Sequence, residues 1–312
     1  MSENETKKLD LISIGEAMAE LRNGSPAGSR ADFKVGFAGD TYNTAVYCNR
    51  TMGEGANVGF FTRVGQDPLS AEFVVRAQEE GLDPSFIAHD GDHLIGIYSV
   101  TTDSTGERSF SYWRDNSAAR QLFSHDEASQ HLPDARIYYL SGITLAILSP
   151  SARRRVMDHL KHLAQTTVAL IAFDSNYRPK LWENKSVARQ IISEMWDIAN
   201  IALPSIDDEM DLYDDTDEDA VVARFARREW RACAIKRGVR GPVSPHLSID
   251  LHPKFEPALK VVDTTAAGDS FNGGYLAAFL QGEDEIKCLL KGHEVASLVV
   301  GHPGAIISDS EK

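Results

Sequence analysis

The segment Asp263–Leu276, DTTAAGDSFNGGYL, holds the residues whose types and spacing could do chemistry. An apolar run, Ala258–Val262, predicts a strand leading into it, and the residues after it predict an amphipathic helix. Between them lie Ala266, Ala267 and Gly268, small residues that let another group approach the backbone. Their N–H groups would lie at a helix N-terminus, where aligned peptide dipoles favour an anion such as a phosphate. Asp269 sits in that same first turn. A carboxylate there repels a phosphate, so its presence needs a reason. One reason is a base that takes the proton from a hydroxyl attacking the phosphorus. The plainer alternative is an Asp that stabilises the helix dipole and does nothing more. The small-residue run, the preceding strand and the Gly273-Gly274 pair favour the chemical reading.

Such a site needs a scaffold that brings strand ends together. Short apolar runs at Leu11–Ile14, Val58–Phe61, Ile137–Leu140, Val168–Phe173, Ile198–Leu203 and Cys233–Ile235 read as strands. Asn43–Arg50, Ser70–Glu80, Ser151–Leu163, Ala188–Ile198 and Ala220–Glu229 carry apolar residues three and four apart and read as helices. Strand–helix alternation implies a mostly parallel sheet covered on both faces. Ligands of such sheets bind at the carboxyl ends of the strands, so Gly15, Gly65, Gly142 and Asp174 should gather at that edge. Two stretches break the alternation. Ile95–Trp113 reads as two strands around a Ser104-Thr105-Gly106 turn, and the residues near 20–40, including Phe33, Val35 and Phe37, also look extended. They predict a small sheet that could act as a lid over a ligand, as a structural flap or as a dimer surface.

The chain has 312 residues, 42% of them hydrophobic, enough for one large α/β domain. Its net charge of -14 argues against nucleic acid, whose phosphate backbone is held by basic patches. Cys48, Cys233 and Cys288 are widely spaced, form no Cys-x-x-Cys and suit a reducing compartment. The polar N-terminus lacks an apolar signal core, and no apolar run approaches the roughly 20 residues of a membrane span, so a cytoplasmic protein is expected. Neither the common NTPase phosphate loop nor the Gly-x-Gly-x-x-Gly dinucleotide fingerprint occurs. His159 and His162 are poorly spaced for zinc and read as surface residues. The acidic run Asp207–Asp219 reads as a solvated loop and helix start.

DTTAAGDSFNGGYL is similar to the C-terminal signature of the ribokinase-like (PfkB) carbohydrate kinases, and GFAGDTYNTAVY, Gly36–Tyr47, to their N-terminal signature. IGEAMAEL, TDSTGERSFSYWR, LSGITLAILSP and FDSNYRPKLW extend the resemblance along nearly the whole chain, toward the branch acting on 2-keto-3-deoxy sugar acids. The resemblance implies a single ribokinase-like domain over residues 1–312, a three-layer α/β sandwich whose lid comes from segments near 16–40 and 95–115. It implies ATP-dependent phosphorylation of 2-keto-3-deoxy-D-gluconate to the 6-phosphate, with Asp269 as general base and the N–H groups of Ala266, Ala267 and Gly268 as the anion hole. Ala266 stands where the family often has Gly, and would be strained if the position needs a positive φ.

By the same resemblance, Gly39, Asp40 and Asn43 bind sugar hydroxyls, and Tyr98, Tyr112, Arg114 and Arg178 hold the keto acid. The physics agrees, because a sugar acid carries a carboxylate that a guanidinium can grip bidentately. On the nucleotide side the resemblance points to Ser205, to Lys236, Gly238 and Gly241 of the Lys236–Gly241 loop, and to His293, where the family often has Asn. It puts Asp208 near the acidic position linked to magnesium, although Asp207, Asp208 and Glu209 are consecutive and spacing does not choose among them. Pro242–Leu259 departs most from the family's strands. A monovalent-cation requirement is open. A flat lid sheet with exposed edges, in a family that is commonly oligomeric, implies at least a dimer. The competing readings are another sugar kinase of the family, such as a fructokinase, and a non-catalytic sugar-acid sensor on the same fold.

Overall fold

The computed structural model describes residues 8–23, 32–102, 108–124 and 132–308; the expected Ser104-Thr105-Gly106 turn lies outside them. In chain order the strands are β1 (Leu9–Ile14), β2 (Met18–Asn23), β3 (Phe33–Ala38), β4 (Val58–Val64), β5 (Ile87–His89), β6 (Gly96–Thr102), β7 (Arg108–Trp113), β8 (Ala135–Ser141), β9 (Leu170–Asp174), β10 (Ile201–Ala202) and β11 (Ala232–Cys233). The helices are α1 (Asp40–Met52), α2 (Pro68–Glu79), α3 (Gly142–Ile147), α4 (Pro150–Thr166), α5 (Lys185–Ile198), α6 (Ile206–Tyr213), α7 (Glu218–Ala226), α8 (Ala267–Leu280) and α9 (Glu285–Val299).

Seven strands form one parallel sheet in the order β11-β10-β9-β8-β1-β4-β5. Both faces are covered, so its strands are mostly apolar, with polar exceptions such as Asp10, Arg63 and Arg136. Side chains alternate between the layers. Ile12, Ile14, Tyr138, Leu140, Ile171 and Phe173 pack with residues of α4, α5, α6 and α7. Leu11, Ile137, Tyr139 and Ala172 pack with α1, α2, α8 and α9 on the other face. The result is an α/β sandwich of three layers. Registers such as Ile14↔Leu140 and Ser141↔Asp174 bring the strand ends level, so Gly15, Gly142 and Asp174 share one edge.

Helix α8 is wedged between α1 and α9, and the Gly273-Gly274 pair is what permits it. A Cβ at Gly273 would stand 2.8 Å from the Thr44 carbonyl oxygen, and one at Gly274 2.9 Å from that of Lys291. The second sheet has the order β3-β2-β6-β7, with β2 antiparallel to β3 and parallel to β6, and β6 antiparallel to β7. Its strands fall within the two stretches that break the alternation.

The strand expected at Ala258–Val262 does not form. The edge beyond β11 is met instead by an Ile235–Val243 bridge, and the Val262 and Asp263 N–H groups donate to the Val300 carbonyl at the end of α9. Leu259 and Val261 are therefore exposed rather than laid on the sheet. Among the described residues no helix is long and apolar enough to cross a membrane.

Candidate active site

The carboxyl edge of the large sheet, the N-terminus of α8 and one face of the small sheet enclose a cavity of about 580 Å³. Asp40, Asn43, Asp174, Asn176, Lys236 and Asp269 are on its wall, with Met18, Tyr98, Phe110 and Tyr112 from the small sheet. In that sheet Tyr98 lies opposite Tyr112 across the β6–β7 pair, their rings stacked at 5.9 Å. The Tyr98 hydroxyl donates to Glu20 at 2.6 Å, which fixes the ring.

The loop before α8 is built by Asp263, whose carboxylate accepts the Thr265 N–H at 2.8 Å and the Gly304 N–H at 2.7 Å. Ala266 then takes a left-handed conformation, φ 63°, ψ 12°, so the position where Gly was expected does need a positive φ. An L-residue there carries a cost on the order of 1–2 kcal/mol. The Ala267 N–H turns back onto the Thr264 carbonyl at 3.2 Å. Gly268 and Asp269 follow in the first turn, where N–H groups have no intrahelical acceptor. Of the three N–H groups expected to form an anion hole, that of Ala267 is therefore engaged, while that of Gly268 lies in the first turn.

Asp269 faces α1. Its Oδ2 accepts from Asn43 Nδ2 at 2.9 Å, and Thr44 Oγ1 lies 3.0 Å from the Asp40 carbonyl oxygen and 3.1 Å from that of Asp269. Asp40 accepts from Asn176 Nδ2 at 2.8 Å. Burial, and then the nearby Asp40 carboxylate, push the Asp269 carboxyl from 3.8 up to about 7; the Asn43 amide pulls the other way. Burial also raises Asp40, against hydrogen bonds from Ser141, Thr41 and Asn176. A carboxyl that loses its proton near neutral pH suits a general base.

Arg178 lines the cavity from the turn after β9, half-exposed, its Nη1 on the Tyr177 carbonyl (2.8 Å) and on Asp208 Oδ1 (3.1 Å). Burial opposes its charge, but Asp208, Asp174, Asp269 and Asp40 outweigh it and raise its pKa. Lys236 donates to Asp174 and, at 3.0 Å, to Asn272 Oδ1.

The cavity thus gathers Gly39, Asp40, Asn43, Tyr98, Tyr112, Arg178, Ser205, Lys236, Ala266, Ala267, Gly268 and Asp269. Arg114 departs from expectation. It is 6% exposed, off the cavity wall, and bound to Glu16, which also accepts from Ser117. A guanidinium paired to a buried carboxylate cannot turn to a ligand without stranding that charge. Gly238, Gly241 and His293 also lie off the wall. Gly241 (φ 75°) meets the Phe255 ring, and the His293 ring lies tilted at 57° to the same ring, 5.0 Å away, and bonds the Glu256 carbonyl at 2.7 Å. Asp208 is outside the wall as well, paired to Arg178.

Asp174, Asn176, Asn272 and Glu16 are not among the expected site residues, nor are the wall residues Met18, Phe110, Ile143, Thr264 and Thr265. Asp174 was placed at the binding edge by its strand end alone. Asn176 has φ 31°, a conformation that Asn tolerates better than most residues, in the Ser-Asn turn after β9. Asn272 lies one turn after Asp269, a helical spacing readable once Asp269 is suspected. Glu16 lies within the IGEAMAEL motif, but nothing in that motif shows that it pairs with Arg114.

A parallel α/β sandwich with a small covering sheet, and a carboxyl at a helix N-terminus on the wall of the cavity between them, is an arrangement that suits phosphoryl transfer to a hydroxyl. The chain belongs to the pfkB family of carbohydrate kinases, whose sequence pattern matches residues 8–312. It is 39% identical over 301 residues to a 2-dehydro-3-deoxygluconokinase of Dickeya dadantii (strain 3937), covering 94% of this chain and 95% of that one. Its fold is similar to the crystal structure of a 2-dehydro-3-deoxygluconokinase from Thermotoga maritima, with a TM-score of 0.80 at 20% identity and 96% of each chain covered. It is also similar to a fructokinase from Vibrio cholerae O395 in its fructose-, ADP- and calcium-bound form, with a TM-score of 0.79 at 20% identity, covering 96% of this chain and 94% of that one.

Proposed function

We propose that this enzyme transfers the γ-phosphoryl group of ATP to 2-keto-3-deoxy-D-gluconate, giving the 6-phosphate and ADP. The observation that carries the reading is the pairing, in one cavity, of Asp269 at the N-terminus of α8 with the guanidinium of Arg178. A neutral sugar can accept hydrogen bonds from that guanidinium, but a sugar acid also presents a carboxylate, whose charge-assisted bonds to it are stronger. The 39% identity to a 2-dehydro-3-deoxygluconokinase supports the same substrate.

In this reading Asp40 and Asn43 hold acceptor hydroxyls, Tyr98 and Tyr112 shape the cavity, and Arg178 fixes the far carboxylate. Holding both ends of the acceptor aligns its terminal hydroxyl with Asp269. Asp269 takes the proton as the oxygen attacks, and the N–H groups at the start of α8 stabilise the phosphoryl oxygens. ATP lies along Ser205 and the Lys236–Gly241 loop toward His293. Among the described residues no cluster of three or more His, Cys, Asp or Glu could hold a metal by itself. Magnesium keeps most of its waters and travels with ATP phosphates, using one or two carboxylates. Asp208 is the proposed protein partner once Arg178, 3.1 Å away, leaves it for the acceptor carboxylate, and the ion would neutralise phosphate charge. Two copies pairing through the small sheet, whose Phe33, Val35 and Trp113 are exposed, form the proposed oligomer, in the cytoplasm.

A coupled ADP-release assay against 2-keto-3-deoxygluconate, its galactonate epimer, fructose, ribose and a sugar-free control tests the function. The sugar acid should give the highest kcat/KM. Preference for fructose would move the assignment to another kinase of the family, and no turnover with any acceptor would make the protein a sensor. Repeating the assay with potassium replaced by a tetraalkylammonium ion tests for a monovalent-cation requirement.

A further inference from the structure

Lys236 is 8% exposed and still reaches the cavity wall. Its ammonium donates to Asp174 Oδ2 and to Asn272 Oδ1. Asn272 donates to the same Asp174 oxygen at 2.8 Å and to the Tyr139 hydroxyl at 3.0 Å. The other Asp174 oxygen accepts the Asn176 N–H at 3.1 Å, and Asn176 in turn holds Asp40. A methyl group on Gly268 would stand 3.7 Å from Nζ, so the ammonium lies beside the first turn of α8. Two of its three donors are used within this network.

We propose that Lys236 is a catalytic residue whose ammonium contacts the transferring phosphoryl group beside Gly268, and that Asp174 is the positioning residue that holds it there. This rests on the reading of the site as a phosphoryl-transfer centre. In that step the acceptor oxygen bonds to the γ-phosphorus while its proton passes to Asp269. The bond from that phosphorus to the β,γ-bridging oxygen breaks, and ADP leaves with the electron pair. Charge shifts over the phosphoryl oxygens and onto the bridging oxygen. An ammonium already fixed by a carboxylate and an amide stabilises that charge without reorganising. Asp174 also serves as a hub: one oxygen orients the cation and the other orients the turn that positions Asp40.

The test compares Lys236→Met, Lys236→Arg and Asp174→Asn with the wild type. It reads kcat, both KM values, thermal midpoint, and affinity for ADP with fluoroaluminate in the presence of the sugar acid, a mimic of the flying phosphoryl group. Lys236→Met should lower kcat by about 10²–10³-fold, the usual loss for one transition-state donor. Its KM for the acid and its affinity for ADP should stay within about threefold, while affinity for the mimic falls in step with kcat. Lys236→Arg should recover part of both losses, and Asp174→Asn should lower both by at least about tenfold. Wild-type kcat in Lys236→Met, or a kcat loss with mimic affinity intact, overturns the proposal. If Lys236→Met does not fold, unchanged kcat in the near-isosteric Asp174→Asn overturns it alone. A wild type inactive toward every acceptor refutes the kinase reading instead.

Discussion

Replacing Asp269 with Asn tests the base in two independent ways. The substitution keeps the side-chain shape and the contact to Asn43, but removes the charge and the ability to take a proton. Turnover should fall by about 10²–10⁴-fold, the range for losing a general base, with acceptor and ADP binding largely kept. The second effect is on stability. The folded-state carboxyl titrates at about 7 against a reference of 3.8, because burial and Asp40 oppose its charge. Below pH 3.8 both folded and unfolded states are protonated, and Asp and Asn behave alike. As pH rises the unfolded chain loses its proton first, so the wild type loses stability until the folded group also ionises near pH 7. At about 1.4 kcal/mol per unit, the wild-type penalty is about 2 kcal/mol at pH 5 and about 4 kcal/mol at pH 8. The energy belongs to the coupled Asp40–Asp269 pair, so the Asn variant also eases ionisation of Asp40. Asp269→Asn should therefore be nearly inactive yet more stable, and the gain should grow from pH 5 to pH 8. Urea unfolding at the two pH values, with the ADP-release assay, checks both. Near-wild-type turnover, or a stability difference that does not change with pH, would refute the assignment of a half-buried, proton-accepting Asp269.

Wild-type kcat/KM should rise with pH through a limb near 7 as Asp269 loses its proton, and Asp40→Asn, which removes the neighbouring charge, should shift that limb to lower pH in whatever activity remains. Arg178→Ala should weaken the sugar acid by about 1.5–3 kcal/mol, the scale of a charged hydrogen bond, seen as a higher KM for the acid with little change for ATP. Arg114→Ala should act first on stability, costing about 3–5 kcal/mol because Glu16 is left charged and buried; Glu16→Gln in the same chain should return part of it, as followed by thermal melting. Ala266→Val should cost roughly 2 kcal/mol or more and lower kcat, because a β-branched residue fits the left-handed geometry poorly, whereas Ala266→Gly should keep turnover.

Much of the scaffold was legible because a doubly covered parallel sheet writes itself into the chain. Its strands are short, mostly apolar runs, and its helices carry a three–four spacing, so Leu9–Ile14, Ala135–Ser141 and Leu170–Asp174 fall close to where the pattern puts them. The same logic failed at Ala258–Val262. An apolar run says that burial is favourable, not that a sheet edge is available, and here the segment is tied to Val300 instead. Arg114 and Arg178 show the equivalent limit within the site. Both are arginines in suggestive context, but Glu16, far away in the chain, occupies one, while the turn after β9 aims the other at the cavity.

By itself the sequence determined the alternating α/β plan, the small-residue turn before a helix and the carboxyl placed in that first turn. These are local properties, set by backbone sterics, side-chain size and apolar period within a few residues. The tertiary structure decided which charges meet. It set Asp40 close enough to Asp269 to raise its proton affinity, and bound Lys236 to Asp174 and Asn272 beside Gly268. It also closed off Arg114 with Glu16. Electrostatic energy in a buried site depends on distance and desolvation, and both are fixed only when strands that are remote in the chain end at the same edge of the sheet.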